Sequence, residues 1–270
     1  MSERKRYVVA GTGGRGIHMF AKPLLKEHTR YCELVGLFDH NPLRLRAARA
    51  LLDAGVPVYT DFQEMLKDPS RPSDADYLFV ESTYGDRLHR SREDTVKEFV
   101  SILEEARKSK GNIVIPAFAI ERTQELLYEL SLLAAKGVLE DYTVYVDSPL
   151  AIAATEIFKE EENTKYFDTL MKNLLKKGRS PFSFPNLKFV RRVEDSKALN
   201  DIESGALIIS ASGMCDAGRI KHHLKHNLWR KECNIIITGF QAHGTLGRAI
   251  VEGADTVKIF GEPIAVRAKI

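Results

Sequence analysis

The sequence is poor in cysteine and has no long apolar run. Three cysteines, Cys32, Cys215 and Cys233, stand too far apart for any CxxC pair. That spacing argues against a disulfide framework and a cysteine zinc site, and it fits reduced thiols. No apolar stretch approaches the roughly 18 residues of a membrane-spanning helix, and Met1 to Arg6 lead into a strand-like segment where a signal peptide would place its apolar core. The expectation is a cytoplasmic chain with no membrane partner. Strong charge is missing too: a formal net charge of +3 permits a polyanionic partner without demanding one. Internal repeats and low-complexity tracts are absent.

What is present is ample material for a core, 44% hydrophobic residues in 270, in an alternation of strand-length apolar runs with helical-period segments. That pattern predicts an α/β protein in which crossover helices cover parallel sheets. Strands are expected at Tyr7–Ala10, Leu34–Phe38, Val58–Tyr59, Tyr77–Val80, Asn112–Ile115, Thr143–Val146, Lys188–Val190, Ala206–Ser210, Asn234–Thr238 and Thr256–Phe260. A further strand-like segment, Ile264–Ile270, closes the sequence as if in mid-structure. The strongest turn cluster is Asp68-Pro69-Ser70-Arg71-Pro72-Ser73, whose two prolines cannot continue a helix. The boundary is placed there, giving two Rossmann-like parallel-sheet subdomains, residues 1–72, the first and incomplete one, and residues 73–270. The strand Tyr77–Val80 suits either sheet and is assigned to the second, leaving three strands and an exposed edge in the first.

Gly11, Gly13 and Gly16 form GxGxxG after a strand and before a helix, where backbone amides can receive a pyrophosphate. Asp39 ends the next strand 23 residues beyond Gly16, in place to accept a ribose hydroxyl, which favours NAD over NADP; His40 or Arg44 would soften that preference. The plainer alternative is that the glycines serve close packing and Asp39 caps the following helix. The strings VVAGTGGRG, LVGLFDHNPLRLRAA and GVPVYTDFQEML resemble the amino-terminal part of the glucose-fructose oxidoreductase/inositol dehydrogenase family over residues 5–76. That resemblance implies a nicotinamide dinucleotide cofactor. The Glu-Lys-Pro segment and the substrate-holding sheet domain that follow in that family are not found here, so oxidation lacks its general acid/base.

Later loops at strand ends carry small hydroxyl residues and exposed amides suited to phosphate: Asp147-Ser148-Pro149, Ser210-Ala211-Ser212-Gly213 and Gly244-Thr245-Leu246-Gly247-Arg248. The strings ESTYGDRLH, IPAFAIERTQELL, VYVDSPLA, SASGMCDAGRIKHHLKH and GTLGRAIVEGADTVKIFGE resemble, in order, the β-CASP region of the metallo-β-lactamase-fold RNA nucleases over residues 77–270. The resemblance implies RNA as partner, with Glu81 at the family's acidic catalytic position and Ser148, Ser212, Gly213, Gly244, Thr245 and Arg248 as phosphate contacts. It also implies zinc, yet the HxHxDH segment and the remaining ligands are absent, so no metal residue is assigned and no zinc is expected to bind.

Among the histidines, His222 and His226 are spaced to share a helical face, but nothing nearby completes a ligand set. Together with Arg219, Lys221, His223, Lys225, Arg230 and Lys231 they read as a basic, solvated helical surface able to meet RNA phosphates. Arg122 would meet a phosphate or pair with Glu125. Three functions follow in order: a β-CASP RNA-contact domain, inactive as a nuclease, fused to a partial NAD-binding module; an NAD(P)-binding oxidoreductase fragment; and a fusion that binds neither ligand.

Overall fold

The computed structural model describes residues 4–68, 76–80 and 83–270. It is α/β, with two separate parallel sheets, and its contacts divide it into two compact units, Met1–His89 and Arg90–Ile270. The turn cluster of residues 69–73, expected to mark the boundary, lies outside the described residues, and the contact division falls at His89/Arg90. No described helix is long and apolar enough to cross a membrane.

In the first unit, β1 (Lys5–Ala10), β2 (Cys32–Phe38), β3 (Val58–Tyr59) and β4 (Tyr77–Val80) form one parallel sheet in the order β3-β2-β1-β4. A π-helical turn, Gly16–Ala21, runs into α1 (Lys22–Lys26), and α2 (Pro42–Leu52) and α3 (Phe62–Lys67) complete the crossovers. Leu45, Ala48 and Leu52 put one stripe of α2 into the core with Val9, Leu34 and Leu37. Asn41 and Asp61 cap α2 and α3 by accepting from the amides of Leu43 and Glu64, each worth about 1 kcal/mol.

The assignment of Tyr77–Val80 to the second sheet is corrected here: β4 pairs with β1 from Tyr7↔Tyr77 to Ala10↔Val80. Two long-range features hold it. Asp76 accepts from the Arg6 amide at 2.9 Å and the Lys5 ammonium at 3.0 Å, and the ring of Tyr7 stacks on Tyr77 and Phe79 with centroids 5.0 and 5.9 Å apart. The first sheet therefore has four strands.

The second unit is built on β5 (Ile113–Pro116), β6 (Thr143–Val146), β7 (Leu187–Phe189), β8 (Ala206–Ser210) and β9 (Asn234–Ile235), all parallel, in the order β7-β6-β8-β5-β9. The central strands β5 and β8 are buried at every residue, as sheets covered on both faces require. Around them lie α4 (Arg92–Ser109), α5 (Arg122–Ala134), α6 (Pro149–Lys159), α7 (Thr169–Lys176), α8 (Val193–Ala198), α9 (Ile220–Asn227) and α10 (Leu246–Val251). Two expectations change. The strand predicted over Asn234–Thr238 stops at Ile235, and β10 (Thr256–Ile259) leaves the parallel alternation to pair antiparallel with β11 (Glu262–Ala265) in a separate hairpin. The two-residue loop Phe260-Gly261 explains the hairpin: both residues have positive φ, +52° and +84°, the backbone that a tight two-residue turn demands.

Candidate functional site

The strand order of the first unit creates a crevice. From β1 the chain moves outward to β2 and β3, then returns to β4 on the other side of β1, so the connections part above the carboxyl ends of β1 and β4. Open α/β sheets bind ligands at such a switch point. A cleft of about 930 Å³ lies there, lined by Gly11, Gly13, Gly14, Gly16, Asp39, Arg44, Phe79 and Val80 among others.

Packing accounts for only some of these glycines. Gly11 has φ +98°, and a Cβ on Gly16 would lie 2.1 Å from the Gly11 carbonyl oxygen, so the turn itself demands glycine at both. A Cβ on Gly13 or Gly14 would meet nothing within 4 Å, and neither has a positive φ. The fold does not need glycine at those two positions, and the backbone there is open to the close approach of a bulky group.

Asp39 is buried at the cleft's edge. One carboxylate oxygen accepts from the Thr12 amide at 2.8 Å and hydroxyl at 2.9 Å, and the other from the Asn41 amide at 2.9 Å. Burial works to raise its pKa, but these hydrogen bonds and the charge of Arg44 outweigh it and hold the carboxyl below the ordinary range. Three of about four acceptor positions are filled, which leaves room for one ribose hydroxyl. Asp39 does not cap α2; Asn41 does. Cleft, open glycines and ionised acid fit a dinucleotide: Gly13 and Gly14 would lie against its phosphates and Asp39 would hold its ribose.

In the second sheet the connections part above β6 and β8, since the chain leaves β6 for β7 on one side and β8 for β9 on the other. Sequence reasoning missed what fills this position. Asp147 is fully buried there, accepting from Ser196 Oγ at 2.6 Å, Arg219 Nη1 at 2.6 Å and His223 Nε2 at 2.7 Å. Burial works to raise Asp147, but the bonds from His223, Ser196 and Arg219 prevail and its carboxyl stays low. The other nitrogen of His223 lies 3.1 Å from Asn200 Oδ1.

The basic helical surface is thus corrected: His223 has no exposed surface and Arg219 turns inward, whereas His222 and His226 are exposed. The signal was available, because Ile220, His223, Leu224 and Asn227 follow the i, i+3, i+4, i+7 spacing of a buried stripe. Beyond α9, Trp229 is about half exposed at 53%.

The residues expected to contact phosphate occupy different settings. Ser148 is buried and caps α6, accepting from the Ala151 amide at 3.2 Å. Gly213 is buried against Phe118, where a Cβ would come within 3.0 Å of the ring and the backbone; Ser212 is partly exposed. At the Gly244 turn every amide from Thr245 to Arg248 already has an acceptor: Ala242 O, Asp216 Oδ1, Met214 O and the Thr245 hydroxyl in turn. Arg248 pairs with Glu252 at 2.7 Å, and Arg122 pairs with Glu125 at 2.8 Å. This turn therefore offers side chains rather than a cradle of free amides. Glu81 lies outside the described residues. A hollow of about 830 Å³ in this unit is lined by apolar side chains such as Phe99, Leu126, Phe158 and Phe182 together with Arg122, and takes in none of Ser148, Ser212, Gly213, Gly244, Thr245 and Arg248.

A zinc pair requires a convergence of donors, and among the described residues no three His, Cys, Asp or Glu side chains come together to hold a metal. Burial pushes the Cys215 thiol up to about 12 and raises that of Cys233. The described residues do not fit the dinuclear centre that the nuclease resemblance implies.

Comparison with known proteins accords with both halves of this geometry. Residues 5–109 match the model of the oxidoreductase family's NAD-binding Rossmann fold, and residues 123–250 match the Beta-Casp domain. Ribonuclease TTHA0252 of Thermus thermophilus is 37% identical over 208 residues, 77% of this chain and 47% of that protein. An RNase J-like protein of Methanocaldococcus jannaschii is 31% identical over 80% of this chain and 47% of its own length. The transcription termination factor FttA of Methanococcus maripaludis is 31% identical over 68% of this chain and 29% of its own. The chain spans about half the length of the first two relatives. A likeness of 208 residues in 270 must cross β4, as does the Rossmann match, so the likeness to the Thermus ribonuclease and the Rossmann match share that strand. The chain thus carries a match to the NAD-binding Rossmann fold of the oxidoreductase family over residues 5–109 and a match to the Beta-Casp domain over residues 123–250.

Proposed function

We propose that the unit Arg90–Ile270 contacts RNA without itself hydrolysing it, and that the first unit binds a nicotinamide dinucleotide. Identity of 37% with a ribonuclease across 77% of the chain supports RNA as the partner, and the failure of the described donors to converge supports the lack of hydrolysis. Without a metal-bound hydroxide, Glu81 has no activated water to assist. RNA phosphates would meet the solvent-facing groups of Ser212, Gly244, Thr245 and Arg248, with Ser148 and Gly213 shaping the loops beneath. Nuclease turnover with and without chelator, together with the zinc content of the purified protein, tests this. The expected result is RNA binding that weakens with salt, no turnover and no zinc; chelator-sensitive cleavage with bound zinc overturns it.

The cofactor reading is carried by Gly13 and Gly14, whose missing side chains the fold leaves unexplained. Binding of NADH should enhance its fluorescence, and Asp39→Ala should abolish the enhancement. No response at millimolar cofactor refutes the reading. In this account the ancestral join lies between residues 72 and 73, ahead of the contact division at His89/Arg90.

A further inference from the structure

Phe260 occupies a position that costs energy. A bulky residue at φ +52° is an outlier for an L-amino acid, and the first position of a two-residue hairpin turn favours Asn, Asp or Gly. The residue gains little burial in return, since 50% of its surface is exposed, while its neighbours Val257 and Ile259 enter the core. Burial gives no reason for a phenyl ring here. Its surroundings do: Lys221 Nζ lies 5.0 Å from the ring centroid and the His222 ring 4.6 Å away, tilted by 36°.

The charges facing the ring are mostly of one sign. α9 contains no acidic residue. Lys258 is exposed two residues earlier on the outward face of β10. The acid across the turn, Glu262, is tied to Lys225 at 2.7 Å. Burial, with the nearby Lys225 ammonium, holds His222 below the ordinary histidine range, which favours its uncharged aromatic form. An exposed aromatic ring set among ammonium groups is how proteins hold single-stranded nucleic acid, with a base on the ring and phosphates on the cations.

We propose that Phe260, with Lys221 and His222, forms a stacking platform for an unpaired base of single-stranded RNA. This rests on the RNA reading of the second unit and adds the base-contacting residue. The turn supplies an unusually clean test, because Phe260→Asn removes the ring while placing a favoured residue at the strained position. The full chain would be titrated with a short single-stranded RNA carrying one fluorescent base analogue whose emission is quenched by stacking. F260N should melt no lower than wild type, lose affinity on the order of tenfold and lose the quenching. Phe260→Trp should retain both. Lys221→Ala should keep the quenching and lower the salt slope of binding by about one. Wild-type affinity and quenching in F260N overturn the platform alone; failure of the wild-type chain to bind RNA removes the RNA reading and the platform with it.

Discussion

Two glycine turns in this chain look alike as sequence and behave differently as structure. Gly11 to Gly16 and Gly244 to Arg248 both introduce a helix at the end of a strand-loop segment, and both suggest phosphate. In the first, Gly13 and Gly14 face open space and nothing in the packing requires them. In the second, the four amides that open α10 are taken by Ala242, Asp216, Met214 and Thr245. A Cβ on Gly247 would lie 1.8 Å from Gln241 Oε1, so that glycine serves internal closeness. The lesson is that a glycine motif suggests a ligand only where internal packing leaves it unexplained.

Four substitutions or conditions would sharpen or break that contrast. The largest effect is expected of Gly16→Ala, whose Cβ would drive into the Gly11 carbonyl oxygen; the forced shift should cost roughly 1–3 kcal/mol, seen as an earlier urea transition of the first unit. Gly13→Ala enters open space and should leave that transition in place while weakening NADH about tenfold, equivalent to about 1.4 kcal/mol, in a fluorescence titration. An unweakened titration would mean that the open space belongs to no cofactor. Thr245→Ala removes the cap on the Arg248 amide and should cost about 1 kcal/mol in thermal unfolding of the second unit, without changing NADH binding. The smallest effect is that of acid on Asp39. Its folded pKa is depressed, so its stabilising contribution is complete above the unfolded value of about 3.9 and is lost as pH falls below it. Urea unfolding at about pH 6 and about pH 3 should therefore show a steeper loss in wild type than in Asp39→Asn.

The alternation of strands and helices was legible because apolar runs and helical stripes are local. The allegiance of β4 was not: Tyr-Leu-Phe-Val satisfies any parallel sheet, and the choice was made by Asp76 reaching Lys5 and Arg6 and by Tyr77 stacking on Tyr7, across some 70 positions of chain. The crevice at Gly11 to Gly16 and Asp39 was legible as geometry because the glycine run is contiguous and the acid ends the next strand. The filling of the amides at the Gly244 turn was not legible, because the groups that take them, Asp216 and Met214, come from a distant loop. His223 was read by its charge when its spacing held the better information. A basic residue on a buried stripe with Ile220 and Leu224 must have an internal partner, and Asp147 is that partner.

Trp229 has a use that follows from where it sits. It is the chain's one tryptophan and belongs to the Beta-Casp unit, half exposed just past α9. Indole emission therefore reports on one half of the molecule and is silent about the other. An unfolding scan that follows this signal beside backbone circular dichroism can assign each transition to its unit without dividing the polypeptide.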